Sequence, residues 1–191
     1  MSETRGVFAL EDVVEQKGDG DYVSLDNVWH FPGPGPSPNA GFVAGGKAPG
    51  VRSSMERLDF TSDTTTLINY TSQLSSARYF VGSAGNFHAG YVLGGFKQGG
   101  PSVSSVDKTT YSTSTTHFLP SGLLTAEKNR IAGSSSETAL YAVGGAPGNL
   151  SSVQKLTYST ETTALLPSSS NKGLSSASFS ATGNQTHGYF G

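Results

Sequence analysis

The stretch "YVLGGF", Tyr91 to Phe96, is a short apolar run that stops on two glycines. Close relatives of it stand at "FVAGG" from Phe42 and "YAVGG" from Tyr141, and "GYFG" from Gly188 repeats its start. The aromatics that open these runs, Phe42, Tyr91, Tyr141 and Tyr189, are separated by 49, 50 and 48 residues. A fixed period of this length is the mark of an array in which each unit packs on its neighbours.

The order of signals inside each unit also recurs. A Gly/Pro-rich turn follows the glycine pair, and then come "SSMERLDFTS" from Ser53, "SSVDKTTYST" from Ser104 and "SSVQKLTYST" from Ser151. Met55, Val106 and Val153, with Phe60, Tyr111 and Tyr158 five residues on, alternate with polar positions as half-buried strands do. A basic residue, Arg57, Lys108 or Lys155, stands two places after each Met or Val. Seven residues beyond the aromatic lies Leu67, Phe118 or Leu165, reached through a Thr-rich stretch whose length predicts a tight turn between two strands. Units close with "LSSARYFVGSAGN" from Leu74 and "LSSASFSATGN" from Leu174, while the middle unit departs with "LTAEKNRIAGSSSE" from Leu124. The expectation is an all-β fold of three four-stranded units near 41–89, 90–139 and 140–187, followed by a strand stub at 188–191. The glycine pair would end the first, inner strand of each unit, where backbones approach closely and the chain turns sharply. Val106, Tyr111, Phe118 and Leu124, with Val153, Tyr158, Leu165 and Leu174, are the expected buried positions.

Composition limits what such an array can do. Only 14% of residues are charged, against about 25% in an ordinary domain, and the formal charge is −2 with no basic block. The electrostatic footprint of a nucleic-acid binder is missing. Without cysteine there is neither a disulfide nor a thiolate metal site. No apolar run approaches the length of a membrane span, and the acidic N-terminus does not read as a signal peptide, so the expectation is a soluble chain without membrane insertion. His30, His88, His117 and His187 are scattered, with no helical pair for zinc, and "GGKAPG" from Gly45 lacks the Lys-Ser/Thr of a phosphate loop. "GDGD" from Gly18 lacks a calcium ligand ladder, and no serine sits in a nucleophile elbow. No catalytic residue, metal or cofactor is therefore expected.

Four strands in about 50 residues, with a Gly-Gly after the first, resemble the blades of kelch-type propellers, and the resemblance runs from Gly41 to Gly191. The kelch aromatic is kept at Tyr111 and Tyr158, but Ser follows it in place of Asp, and Leu67, Phe118 and Leu165 stand where the kelch Trp would be. "GYFG" at Gly188, "SSVDKTTYST" at Ser104, "LSSARYF" at Leu74 and "ATGN" at Ala181 are similar to repeats in virion proteins of cyanophages and other marine tailed phages. The segment "RGVFALEDVVEQKGDGDYVSLDNVW" resembles the short opening of many such proteins. The resemblance implies a virion structural protein on the exterior of the particle: a tail fibre, neck appendage or surface decoration. A glycan-binding adhesin module built on the same head is the alternative, with no glycan-binding residues identified.

Residues 1–30 read as a docking segment. "LEDVVEQK" places Leu10, Val13 and Val14 at helical spacing, with Glu11 and Asp12 in the first turn where the helix dipole favours acids. Val7, Phe8, Leu10, Val13, Val14 and Trp29 are the expected contacts to other virion proteins, and "FPGPGPSP" within 31–40 is a semi-rigid linker. Propellers close with typically 4–8 blades. Three units and a stub fall short of that, so the expectation is a homo-oligomer, with a trimer favoured and Tyr189 and Phe190 at the subunit contact. A host-surface glycan would be a further partner.

Overall fold

The computed structural model describes residues 40–47, 49–148, 150–171, 173, 180–183 and 187–190. They belong to the second of two units of the chain, Pro38–Gly191. The docking segment, its residues Val7, Phe8, Leu10, Val13, Val14 and Trp29, and the linker lie outside the described residues.

Thirteen strands lie among the described residues, in four antiparallel sheets, and no α-helix does. The first sheet is β1 (Ala40–Ala44), β2 (Met55–Asp59) and β3 (Thr64–Leu67). The second is β4 (Gly82–Gly85), β5 (Ala89–Leu93), β6 (Val106–Thr110) and β7 (Thr115–Phe118), in that order. The third repeats it with β8 (Ala132–Ser135), β9 (Ala139–Val143), β10 (Val153–Thr157) and β11 (Thr162–Leu165). The fourth pairs β12 (Ala181–Gly183) with β13 (Gly188–Phe190). A three-residue 3-10 turn follows β3, β7 and β11, at Tyr70–Ser72, Pro120–Gly122 and Ser168–Ser170. The Thr-rich stretches are the expected tight hairpins, with Asp63, Ser114 and Glu161 each left-handed at the corresponding place.

The grouping of strands differs from the expected units by one strand. In the second and third sheets the Gly-Gly strand, β5 or β9, is second, and the short strand before it, "GSAG" or "AGSS", is first; in the first sheet the Gly-Gly strand β1 has no strand before it among the described residues. These first strands, β4, β8 and β12, lie beside one another in successive sheets, and their small residues permit that approach. A Cβ on Gly133 would stand 2.3 Å from the Ser83 carbonyl oxygen. The segment "GNFHAGY" therefore closes a hairpin within a sheet rather than joining units, and β12 and β13, on either side of 184–186, pair with each other. The glycine pair answers a different constraint. Gly94 and Gly95 have φ of +55° and +115°, and a Cβ on Gly94 would meet the Lys128 carbonyl oxygen at 2.3 Å. Only glycine can make this turn against the chain crossing to the next sheet.

The core lies between sheets, and β5 shows why. Its alternate residues Ala89, Tyr91 and Leu93 face the third sheet with Val106, Leu140 and Leu156, while Val92 joins Met55, Ile68 and Leu74 on the other face. Val106, Leu124 and Val153 are buried as expected, and Tyr111 and Tyr158 are half-buried. Phe118 and Leu165 are instead 42% and 55% exposed, and Leu174 lies outside the described residues. The buried apolar positions come one residue later, at Ile68 and Leu119, with Leu166 half-buried. Each donates its N–H to Met55, Val106 or Val153, which adds a rung beyond the strand and turns the side chain onto the opposite face.

Candidate functional site

Two kinds of contact join successive sheets. The first is an aromatic pair: Phe42 of β1 stacks on Tyr111 of the second sheet at 5.2 Å, and Tyr91 of β5 stacks on Tyr158 of the third at 5.3 Å. The repeated basic residue lies opposite the repeated aromatic, Lys108 across from Tyr91, and Lys108 pairs with Glu161 in the hairpin of the next sheet. Burial, with the charge of Glu161 adding to it, pushes the Tyr91 hydroxyl up to about 12. Burial also pushes Tyr111 and Tyr158 up. Phe60, at the position of Tyr111 and Tyr158 in the first sheet, is 58% exposed and stacks on no ring among the described residues.

The second contact is a polar latch from the segment that crosses between sheets. Arg78 and Asp107 form a fully buried ion pair. Arg78 also donates to Ser105 Oγ and the Val92 carbonyl, and Ser75 donates to Asp107 through its hydroxyl at 3.0 Å. Burial pulls the Arg78 pKa down and the Asp107 charge opposes that shift. One period later the same places hold Lys128 and Gln154. Lys128 donates to Ser152 Oγ at 2.8 Å, Gln154 accepts from the Thr125 N–H at 2.8 Å, and among the described residues no carboxylate pairs with Lys128. Its burial lowers its pKa. The middle unit's departure, "LTAEKN", thus occupies the same structural place as "LSSARY".

The expected oligomer-contact residues sit on β13. Tyr189 is 59% exposed with its ring 6.4 Å from that of His187, and Phe190 is half-buried. Phe190, His187 and Gly188 line a hollow of about 350 Å³ with Tyr141 and Leu166. Among the described residues no group of three His, Cys, Asp or Glu could hold a metal ion.

A larger groove, of about 520 Å³, opens where the crossing segments of the second and third sheets meet the turns after the glycine pairs. Tyr79 lies tilted against Phe80 at 4.7 Å and edge-on to Phe96 at 5.6 Å. The Arg130 guanidinium stands 4.7 Å over the Phe80 ring, and its backbone N–H donates to the Phe80 carbonyl at 2.7 Å. Asn129 Nδ2 donates to Ser102 Oγ at 2.7 Å in the wall, and Glu127 stands exposed on the lining. Phe80 and Arg130, one period apart, are both left-handed, with φ of +55° and +54°. Sequence reading missed this groove because its aromatics do not repeat: Asn129, Arg130 and Ala146 stand where the preceding unit has Tyr79, Phe80 and Phe96. Compared with known proteins, the sequence matches no protein-family model and no curated protein.

Proposed function

We propose that this chain is a structural protein of a bacteriophage particle, a fibre or appendage subunit that docks through its N-terminal segment and presents a β-repeat head on the exterior. The observation that carries the reading is the place taken by the segments similar to cyanophage virion repeats. "SSVDKTTYST" supplies β6 and its hairpin, and "LSSARYF" supplies the crossing segment with its buried arginine. "ATGN" and "GYFG" contribute β12 and β13. These segments make the contacts between units, so they are the parts a repeat-built head depends on. The kelch-like blade reading belongs here as well: face-to-face packing of successive sheets and the adjacency of β4, β8 and β12 support blades arranged about an axis. Homo-oligomeric assembly, with a trimer favoured, completes the proposal, and the other virion proteins are the partners of the N-terminal segment. The test is mass spectrometry of gradient-purified particles, with labelled antibody against the head in electron micrographs. Peptides of this chain at stoichiometric level and label on the particle surface are expected; their absence from intact particles would end the virion reading.

A further inference from the structure

We propose that the groove lined by Tyr79, Phe80, Phe96, Glu127 and Arg130 is a binding site for an uncharged pyranose unit of a glycan. The inference stands whether or not the virion reading does. Its first ground is the combination of surfaces. Phe80 is 49% exposed, and with Tyr79 and Phe96 it gives the groove an aromatic wall. A pyranose ring carries a face of C–H groups that packs on the electron-rich face of such rings, and hydroxyls around its rim that need donors and acceptors. Arg130 offers donors and Glu127 an acceptor on the same lining. The lining itself carries one cation and one anion, and Lys47 stands 5.3 Å over the Tyr79 ring beside it. A neutral sugar adds no charge to this lining and can hydrogen-bond both groups, whereas a uronate would face Glu127.

The second ground is backbone strain. A phenylalanine in the left-handed region is a genuine outlier, and so is the arginine one period on. Neither side chain is committed to the core: both are exposed, and the ring and the guanidinium hold each other at the groove. Strained residues of this kind collect at ligand clamps. The volume, about 520 Å³, falls within the range of small-ligand sites, roughly 300–1,000 Å³.

Affinity electrophoresis of the full chain through gels containing dextran, laminarin, galactomannan or polygalacturonate tests the site. Retardation by at least one neutral polysaccharide and free passage through polygalacturonate are expected. The variant Phe80→Gly suits the left-handed backbone, so it should keep the melting temperature while weakening retardation about tenfold or more. Glu127→Ala, at an exposed position, gives a second reading should Phe80→Gly fail to fold, and it too should weaken retardation. Free passage through every neutral gel, retardation by polygalacturonate alone, or undiminished retardation of both folded variants would overturn the assignment.

Discussion

The buried latch shows how one residue pair sets the stability of a seam, because the two copies of the same position differ in charge. At the first seam Arg78 is held by Asp107; at the second, Lys128 donates to the hydroxyl of Ser152 and meets no carboxylate among the described residues. Removing one member of a buried pair leaves the other as an uncompensated charge, so Asp107→Asn should cost about 3–5 kcal/mol. Lys128→Met should be neutral or stabilising by about 1 kcal/mol, since it removes a buried ammonium that no carboxylate compensates. Urea midpoints measure both, and an unchanged midpoint for Asp107→Asn would mean that Arg78 reaches water. The pH dependence follows from the direction of the Lys128 shift. Its folded pKa lies below the unfolded value, so the charged amine penalises the fold at neutral pH, and the penalty is relieved as pH rises toward 10.5. The advantage of Lys128→Met should therefore be greatest near pH 7 and shrink near pH 10. The stacked tyrosines act in the opposite sense. With Tyr91 raised to about 12, and Tyr111 and Tyr158 also raised, the folded state keeps protons that the unfolded chain releases above pH 10. Their contribution is complete below pH 10 and is lost as pH climbs to about 12, so stability should fall across that window and fall less steeply in Tyr158→Phe. An identical slope in the variant would place the titration elsewhere.

At the scale of the strand, facing decides more than residue type. Phe118 and Leu119 are neighbours in sequence, yet the first is 42% exposed at the end of β7 and the second is 3% exposed in the core between the second and third sheets. Leu119→Ala should cost about 2–5 kcal/mol. Phe118→Ala, although it removes the larger side chain, should stay within about 1 kcal/mol, as surface changes do. Thermal melts of the two variants check this, and equal losses would mean that Phe118 packs on something beyond these sheets. The same pair shows what the sequence could and could not disclose. The period, the hairpins, the all-β class and the buried Val106, Leu124 and Val153 were legible because alternation and turn chemistry are local. The phase of the units was not. β4, β8 and β12 are written, apart from Thr182, in Gly, Ser and Ala, residues that give little strand signal, since their task is to let backbones come within reach of one another. The latch had a trace in the sequence: Arg78 and Lys128 stand one period apart, as do Asp107 and Gln154. It becomes readable only once the crossing segment is known to pass over the next sheet. The groove left no periodic trace at all, because it is made where two successive units differ.

At the scale of the whole molecule, the edges of the sheets set the expectation for assembly. β13 pairs with β12 and with no other strand among the described residues, and Tyr189 on it is 59% exposed. An open edge with an exposed aromatic is a surface that recruits another strand or side chain unless something covers it. In the proposed homo-oligomer that cover is a second copy, and a closed cyclic arrangement satisfies every copy of the edge alike. Mass photometry of the purified chain should then show a trimer that persists at nanomolar concentration. Tyr189→Asp should shift it toward monomer, because the ring is not part of the core of its own chain and a carboxylate would be buried at the contact. Since Tyr189 is outside both core clusters, the variant should keep the circular dichroism and melting behaviour of a folded β protein. A wild-type chain that remains monomeric across nanomolar to micromolar concentrations would remove the oligomer from the proposal. A trimer indifferent to Tyr189→Asp would move the contact away from β13 while leaving the assembly intact.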